Sequence, residues 1–432
     1  MREKLLIFYS NHRPAFQIFK AVMAAIVLSI LVLLINLDFI PLKDILPDFL
    51  LTEVPLAQSI LSTLAGAWLT VMTFTFSTTL VVLTTYSSNY SPRIVENFLQ
   101  QKTTMRVLGT FIGAFLYCIS MLFFLNKSFV GELVLSATIA IVYAFWCIGQ
   151  FVIFIFSVAN SIQAQNLISD LYKEAEEIIS EYKEKDMGLR SQQIETERYA
   201  FTYEIEADSS GYLEAVHSDE ILRLIGPGQH RVLVGVRLGD FVGRGQIIAK
   251  GYCQNEPENI KKLKEKLSSC FTLKNKRYTV LDYRYSIEKL VDVALRAISP
   301  GINDPNTAIS CINSLGLLTG QLAQIEGRYD IMEAEHDEEV NDPSEVVIEN
   351  YSLGKDLFAI YSQLSNYGKK DLSVIKSMLE AITGAAAVST ASNRKYLFDL
   401  GKYVYDLGRK NLSHIRDLAE LDSFFNKLEE VF

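Results

Sequence analysis

The chain has 432 residues, of which 49% are hydrophobic, and its formal net charge is −9. A mean hydropathy of +0.18 is high for a soluble protein and indicates a membrane-embedded part. The acidic balance disfavours nucleic-acid binding, which calls for a basic face, so we expect no nucleic-acid partner.

Four apolar runs lie within the first 160 residues, and each is close to or longer than the ~20 residues that cross a hydrocarbon core. The predicted spans are Ala15–Asn36, Ser59–Tyr86, Met105–Leu125 and Val130–Ala159. Residues 1–160 are therefore predicted to form a transmembrane domain with a lipid bilayer as its surroundings.

The loop charges predict an orientation. Acids dominate the loop between the first two spans, whereas bases dominate the N-terminus and the loop between spans two and three, namely Arg2, Lys4, Arg13, Arg93, Lys102 and Arg106. Basic loops stay on the cytoplasmic side. We expect a multi-pass protein with both termini in the cytoplasm.

The second span has one face of small and hydroxyl-bearing residues. Hydroxyls recur every seven residues from Thr63 onward, smaller residues fill the interleaved positions, and Leu80 is the exception. A seven-residue repeat stays on one side of a helix. The predicted face comprises Thr63, Gly66, Thr70, Thr73, Ser77, Thr84 and Ser87, with Ser91 continuing the repeat.

Two interpretations of this hydroxyl face remain open. Small residues allow helices to pack closely, and hydroxyls bond across helices or to their own carbonyls. Alternatively, copies of this helix line a water-filled pathway in an oligomer, where uncharged hydroxyls solvate inorganic ions weakly. The two are compatible, since a pore-lining helix must also pack.

Beyond residue 160 the chain reads as a soluble protein. We predict a helical stalk over 161–198 that continues straight from the fourth span, either as a packing helix or as a transmitter of movement. A β module follows over 199–255, because Val232, Val234 and Val236 alternate as in a strand. Residues 256–432 are predicted to be mainly helical, interrupted by an acidic loop that begins near Asp330.

The β module resembles the small barrel-sandwich domain of lipoyl and biotinyl carriers and of membrane-fusion adaptors. The resemblance rests on a Gly-Asp-x-Val-x-x-Gly turn at Gly239, Asp240, Val242 and Gly245. The carrier lysine motif is missing, so a swinging-arm role does not carry over. We expect a docking or assembly module without a cofactor.

A second turn, SPGINDP, separates two predicted helices. Its residues are Ser299, Pro300, Gly301, Asn303, Asp304 and Pro305. Asp304 is the predicted N-cap and Pro305 the first helical position. The turn either binds an anion or an assembly partner at the new helix N-terminus, or simply fixes how two helices meet.

The sequence offers little enzyme chemistry. It has no Walker A loop, no nucleophile-elbow motif, no zinc-protease motif and no strand-led dinucleotide fingerprint, and its five histidines are scattered. The five cysteines have no metal-ligand spacing and are predicted to be free thiols, and the acidic loop lacks the EF-hand spacing. We expect no enzyme and no metal site.

The four spans together with FSTTLVVLTTYSSNYSPRIVENFL, GDFV and ALRAISPGINDPNTA resemble a bacterial family of predicted membrane proteins, domain of unknown function family 2254. The resemblance implies an inner-membrane location and supplies no activity. The expected fold is an α-helical membrane protein with four transmembrane helices and a cytoplasmic α+β domain that contains a small barrel-sandwich-like β module.

The predicted function is a homo-oligomeric ion channel or pore whose second span lines the pathway, with a cytoplasmic domain that assembles or gates it. The alternative is a non-conducting membrane scaffold or sensor, in which the hydroxyl-rich helix only packs against other helices.

Overall fold

The protein is described by a computed structural model that covers residues 13–43, 45–90, 92–94, 102–125, 133–161, 163–186, 199–277, 282–326, 329–333, 343–349 and 351–432. Contacts divide the chain into two compact units, Met1–Leu167 and Ile168–Phe432. Each unit contains its own core of buried apolar side chains.

The first unit contains four long helices, as the apolar runs predict. They are α1 (Arg13–Asn36), α2 (Val54–Asn89), α3 (Lys102–Phe124) and α4 (Ser136–Ser161). All four are long and apolar enough to cross a membrane. Large apolar side chains such as Phe145 and Phe156 are about two-thirds exposed on the unit, at 72% and 66%, as expected for residues that face lipid.

Most helix boundaries differ from the predicted spans by up to three residues, and two N-termini differ by five or six. Helix α2 begins at Val54 rather than Ser59, and α4 begins at Ser136 rather than Val130. The physical reason is a short antiparallel pairing just before these helices, between β1 (Thr52–Glu53) and β2 (Leu133–Val134).

A buried polar cluster ties the helices together next to this pairing. The Asn36 side chain donates to Ser136 Oγ at 2.6 Å, and its Oδ1 accepts from the Leu135 amide at 3.0 Å. Tyr117 Oη donates to the Ser136 carbonyl at 3.0 Å. These buried groups are therefore paired, which avoids the cost of orphaned polar atoms.

The prediction of a helix that continues straight from span four into the stalk is wrong. Helix α4 ends at Ser161, Gln163 is not helical, and α5 begins at Ala164 and ends at Asp186. The Asn160 carbonyl accepts from the Gln163 amide at 3.2 Å and from the Asn166 side chain at 2.9 Å. These bonds replace the regular helical ladder and break the helix.

The second unit contains two sheets. Their strands are β3 (Phe201–Glu206), β4 (Gly211–Val216), β5 (His230–Val234), β6 (Phe241–Val242), β7 (Ile247–Cys253), β8 (Phe271–Lys274), β9 (Tyr329–Glu333) and β10 (Glu345–Glu349). The five-stranded sheet has the order β3-β7-β5-β10-β9, and the three-stranded sheet has the order β6-β4-β8.

Both sheets contribute side chains to one core. Ile205 and Ile248 come from the five-stranded sheet, and Leu213 and Val242 come from the three-stranded sheet. The alternation of buried and exposed residues along β3 and β4 explains this arrangement, because one face of each strand is apolar.

The sheets extend beyond the predicted β module of residues 199–255. Strand β10 pairs in parallel with β5, with Val346 opposite Val232, and antiparallel with β9. The stretch predicted as a loop inside a helical region is therefore flanked by strands, because Val346, Val347 and Ile348 form a buried β-branched run. Asp330 and Glu333 lie on β9, whereas residues 334–342 of the acidic stretch lie outside the described residues.

The other described elements of this unit are helices. They are α6 (Ser218–Ile225), α7 (Ile260–Ser268), α8 (Tyr283–Ala297), α9 (Pro305–Leu322), α10 (Leu353–Gly368), α11 (Leu372–Val388), α12 (Ala391–Asn411) and α13 (Ile415–Glu429). Helix α9 packs on α11, and α10 packs on α12. The unit is an α+β structure, and all five cysteines of the chain are free and buried, as predicted.

Candidate functional site

The hydroxyl face of α2 lies on the outside of its own four-helix unit. Thr63, Gly66, Thr70, Thr73, Ser77 and Thr84 are all exposed. The Ser87 side chain and residue 91 lie outside the described residues. The structure thus brings six predicted positions onto one surface.

Several of these hydroxyls are bonded to their own helix. Thr70 Oγ1 donates to the Gly66 carbonyl at 3.1 Å, and Thr73 Oγ1 donates to the Leu69 carbonyl at 2.9 Å. Thr63 and Thr84 donate to the carbonyl four residues earlier in the same way. Such back-bonding lowers the cost of placing a hydroxyl in an apolar environment.

The opposite side of α2 packs into the core of the unit. Leu61, Ala65 and Trp68 are buried, and the Trp68 ring stacks on Phe111 with a centroid distance of 6.0 Å. A turn or more along the helix, Thr75 and Thr79 continue this buried side.

Sequence reasoning missed the two buried threonines. Their signal was present, because Thr75 and Thr79 are four residues apart and lie off the seven-residue repeat. Each donates to the carbonyl four residues earlier at 2.8 Å. The hydroxyls of α2 therefore form two sets, one exposed and one within the packed core.

The interior of the four-helix unit is filled with apolar side chains. Phe111, Tyr117, Met121 and Phe154 are each at most 1% exposed and belong to one core cluster. Large rings and a thioether thus pack together in the described centre of the unit. The hydroxyl face of α2 lies away from this core, on the exposed side of the helix.

In the second unit, the Gly-Asp-x-Val-x-x-Gly segment forms a tight turn around β6. Gly239 has φ +82°, and a Cβ there would lie 1.8 Å from Asp282 Oδ2. Asp240 Oδ2 accepts from the Arg237 amide at 2.9 Å, and Val242 is fully buried. Gly245 also has a positive φ of 80°. The four predicted residues thus together shape the turns on either side of β6.

Arg284 connects this turn to the first turn of α8. It donates to Asp240 Oδ1 at 2.8 Å and to the Leu238 carbonyl. Asp282, the N-cap of α8, accepts from the Tyr285 amide at 3.3 Å and pairs with Arg277 at 2.7 Å. Burial lowers the pKa of Arg277, but the carboxylates of Asp282 and Glu288 raise it by more, so the pKa lies above its ordinary value.

A second buried charge pair adjoins this cluster. Arg237 donates to both carboxylate oxygens of Asp356 in α10, at 3.0 and 2.6 Å, and Tyr283 Oη donates to Asp356 Oδ2 at 2.6 Å. Burial and the adjacent Asp356 raise the pKa of Tyr283 well above its ordinary value. The carboxylate has three charge-assisted or strong hydrogen bonds, which suits a fully desolvated anion.

Helix α5 is joined to α8 by another ion pair, whose lysine is buried. Lys289 is 3% exposed, and its Nζ lies 2.8 Å from Glu174 Oε1, which also accepts from Ser286. Two residues further on, Glu176 accepts from Tyr172 and from Gln321 of α9, the latter at 2.9 Å, and these bonds lower the pKa of Glu176. The Glu174–Lys289 pair thus links α5 to α8, and the Tyr283–Asp356 hydrogen bond links α8 to α10.

The SPGINDP turn has the predicted local geometry. Asp304 is the N-cap of α9, accepts from the Thr307 amide at 3.2 Å and from Thr307 Oγ1 at 2.6 Å, and Pro305 is the first helical residue. These bonds lower the pKa of Asp304. Its carboxylate occupies the first turn, while Ser299, Pro300, Gly301 and Asn303 form the preceding turn, whose central residues are exposed.

Arg284, at the opposite end of α8 from the SPGINDP turn, pairs with Asp240 at 2.8 Å and with Asp282 at 3.6 Å. Within the described ranges, no group of three histidine, cysteine or acidic side chains is close enough to hold a metal ion. The binding role of the turn remains a prediction.

Comparison with known proteins gives a family. A family model described as "Predicted membrane protein (DUF2254)" matches residues 13–384. Similar proteins are the uncharacterized proteins Mb1321c of Mycobacterium bovis and Rv1290c of Mycobacterium tuberculosis, each 24% identical over 345 residues, which is 76% of this chain. The match spans 64% of the length of these curated relatives. No solved structure matches the chain. The chain belongs to the DUF2254 family of predicted membrane proteins.

Proposed function

We propose that this protein is a homo-oligomeric ion channel or pore of the bacterial plasma membrane, in which the hydroxyl face of α2 from several copies lines the pathway. The observation that carries the proposal is the outward direction of that face. It lies opposite the buried side formed by Leu61, Ala65 and Trp68, on the surface that a second copy would meet.

The surroundings of the face support an assembly between copies. Leu69 and Phe76 flank it on one side, and Phe74 and Val81 flank it on the other, all at least 51% exposed. Small residues between two apolar ridges let helices approach closely. A ring of such helices would bring the hydroxyls of Thr70 and Thr73 to a shared axis.

The chemistry of the face suits weak solvation of ions. Its described members carry no charge, and threonine and serine hydroxyls both donate and accept hydrogen bonds. A pathway of this kind would bind ions loosely enough to release them. Basic residues such as Arg93 and Arg106 follow α2 and would lie at its cytoplasmic mouth under the positive-inside rule.

In this proposal the second unit is cytoplasmic and assembles or gates the pathway. Its two sheets share one core, which supports a docking module similar to a barrel sandwich. Helix α5, which follows the fourth membrane helix, is held to α8 by the ion pair of Glu174 and Lys289. A change in the second unit would reach α5 through this pair.

The alternative is a non-conducting scaffold or sensor whose hydroxyl face only packs helices. The specific observation in its favour is that Thr63, Thr70, Thr73 and Thr84 already donate to their own backbone. Hydroxyls in that state need no water.

The test is ion flux through purified protein in liposomes under gradients of Na⁺, K⁺ and Cl⁻. The variant Thr70→Leu/Thr73→Leu/Ser77→Leu should lose or alter a selective flux that the unchanged protein shows. The matched control is Ala24→Leu/Gly149→Leu/Ala159→Leu, which adds three leucines at exposed positions of α1 and α4. Equal flux in the hydroxyl-face variant and the control variant would overturn the lining assignment. If no protein shows flux and the oligomer loosens only in the hydroxyl-face variant, the scaffold is favoured.

A further inference from the structure

A large cleft lies between α10 and α12 in the second unit. Its volume is about 830 Å³, and its walls come from the first two turns of α10, one face of α12 and the segment before α10. This volume is within the range of pockets that hold small organic molecules. No feature of the proposed ion pathway uses it.

The walls of the cleft are rich in aromatic rings. Phe358 and Tyr396 are 55% and 48% exposed, and Tyr403 packs against Phe358 with a centroid distance of 5.5 Å. Tyr396 lies over Gly354, where an added Cβ would meet its ring carbons at 2.7 Å. Two half-exposed rings in a concave site leave apolar surface that a ligand can cover.

Opposite charges line the cleft without pairing to each other. Asp399 is exposed on α12 and Lys355 is exposed in the first turn of α10. Within the described part of the chain, neither makes a hydrogen bond or an ion pair to another side chain. Glu326 adds a second carboxylate at the rim. The lining of the cleft therefore includes one exposed positive charge from α10 and one exposed negative charge from α12, together with aromatic rings from both helices.

The shape of the cleft is fixed by buried hydrogen bonds beneath it. The Asn393 amide, 7% exposed, donates to the Ala323 and Ile325 carbonyls at 3.1 and 2.6 Å. Tyr351 Oη donates to the Leu322 carbonyl at 2.5 Å. A cleft whose floor is held by buried bonds loses little freedom when a ligand binds.

The geometry points to a binding site for a small zwitterion with an apolar side group, the chemical class of free α-amino acids. The ammonium group would pair with Asp399 and lie against the neighbouring ring faces, which attract cations. The carboxylate would pair with Lys355 beside the start of α10, where the N-cap Ser352 makes no side-chain cap bond. Phe358 and Tyr396 would cover the side group. The site is independent of ion conduction.

The test is isothermal titration of the full-length protein in detergent with L-phenylalanine and with two analogues that each lack one charge, phenethylamine and 3-phenylpropionate. We expect L-phenylalanine to bind and each analogue to bind with an affinity at least about tenfold lower, because each analogue loses one charge-assisted contact. Asp399→Asn should weaken the binding of L-phenylalanine by about tenfold and leave the binding of 3-phenylpropionate, which has no ammonium group, unchanged. Lys355→Met should also weaken the binding of L-phenylalanine by about tenfold, but it should leave the binding of phenethylamine, which has no carboxylate, unchanged.

The matched controls are Asp406→Asn and Lys395→Met, which remove the same charges from exposed positions of α12 outside the cleft. Both controls should bind L-phenylalanine as the unchanged protein does. L-tyrosine and L-leucine are titrated in the same way. The assignment would be overturned if none of the three amino acids binds, if phenethylamine binds as tightly as L-phenylalanine, or if neither Asp399→Asn nor Lys355→Met changes the binding of L-phenylalanine.

Discussion

The guanidinium of Arg237 holds the carboxylate of Asp356 with two hydrogen bonds of 3.0 and 2.6 Å, although the two residues are 119 positions apart in the chain. The Arg237 and Asp356 side chains are 13% and 3% exposed, so the pair is almost fully removed from water. Arg237 precedes the Gly239 turn, and Asp356 lies in the first turn of α10. The pair therefore joins the sheet region of the second unit to its helical region.

Removal of one partner of this pair should strongly destabilise the second unit. Arg237→Met leaves a buried carboxylate without its cation, which costs about 3–5 kcal/mol in comparable pairs. The triple variant Arg237→Met/Tyr283→Phe/Asp356→Leu removes both charges and the buried hydroxyl that donates to Asp356, and it should recover most of this loss. Chemical unfolding of the full-length protein in detergent measures both, and a single variant within about 1 kcal/mol of the unchanged protein would show that the pair is dispensable.

Gly239→Ala should disrupt the turn that precedes β6. An alanine at φ +82° costs about 1–2 kcal/mol from conformation alone, and its Cβ would collide with Asp282. The matched control is Gly301→Ala, where an added Cβ has nothing within 4 Å. We expect a lower melting temperature for the first variant and little change for the second, measured by circular dichroism. An equal effect of both variants would contradict the role assigned to the turn.

The stability of the second unit should depend on pH through His230. Burial lowers the pKa of His230 below its ordinary value of 6.5, and its Nε2 lies 2.7 Å from Tyr203 Oη. The unfolded chain therefore takes up a proton at a higher pH than the folded chain. The stabilising contribution is complete above pH 6.5 and is lost as the pH falls from there to the folded-state pKa.

His230→Gln, which cannot titrate, should flatten this dependence. Melting temperatures of both proteins between roughly pH 7 and pH 5 give the comparison. A slope that is identical in the two proteins over this range would show that other groups control the acid sensitivity.

Replacement of Thr73 by valine should separate the two interpretations of the hydroxyl face. Valine keeps the shape of threonine but removes the hydroxyl, so helix packing is nearly preserved while the polar surface is reduced. In the channel proposal, flux should change while the oligomer size in detergent stays the same. Unchanged flux with an unchanged oligomer would favour a packing role.

Local signals predicted a large part of the fold. The long apolar runs predicted four membrane-length helices, and the Asp304–Pro305 pair predicted the start of α9 at the correct residue. The alternation around Val232 and Val234 predicted a strand. These features depend on residues close together in the sequence, so a short window of sequence is enough to predict them.

The remaining features depend on contacts between distant segments. Strand β10 follows an acidic stretch, and only its parallel pairing with β5 makes Val346–Ile348 a strand rather than part of a helix. The Arg237–Asp356 pair and the cleft between α10 and α12 likewise exist only after folding. The heptad spacing predicted one side of α2, but it could not tell whether that side faces inward or outward.

The most direct measurement is the modification of a cysteine placed on the hydroxyl face during ion flux. Thr73→Cys is compared with Ala24→Cys, an exposed position on α1, and both are treated with a charged thiol reagent. The unchanged protein gives the background, since its five cysteines are all buried. The account predicts that the reagent blocks flux only in Thr73→Cys. Block in neither variant, or equal block in both, would contradict a pathway lined by α2.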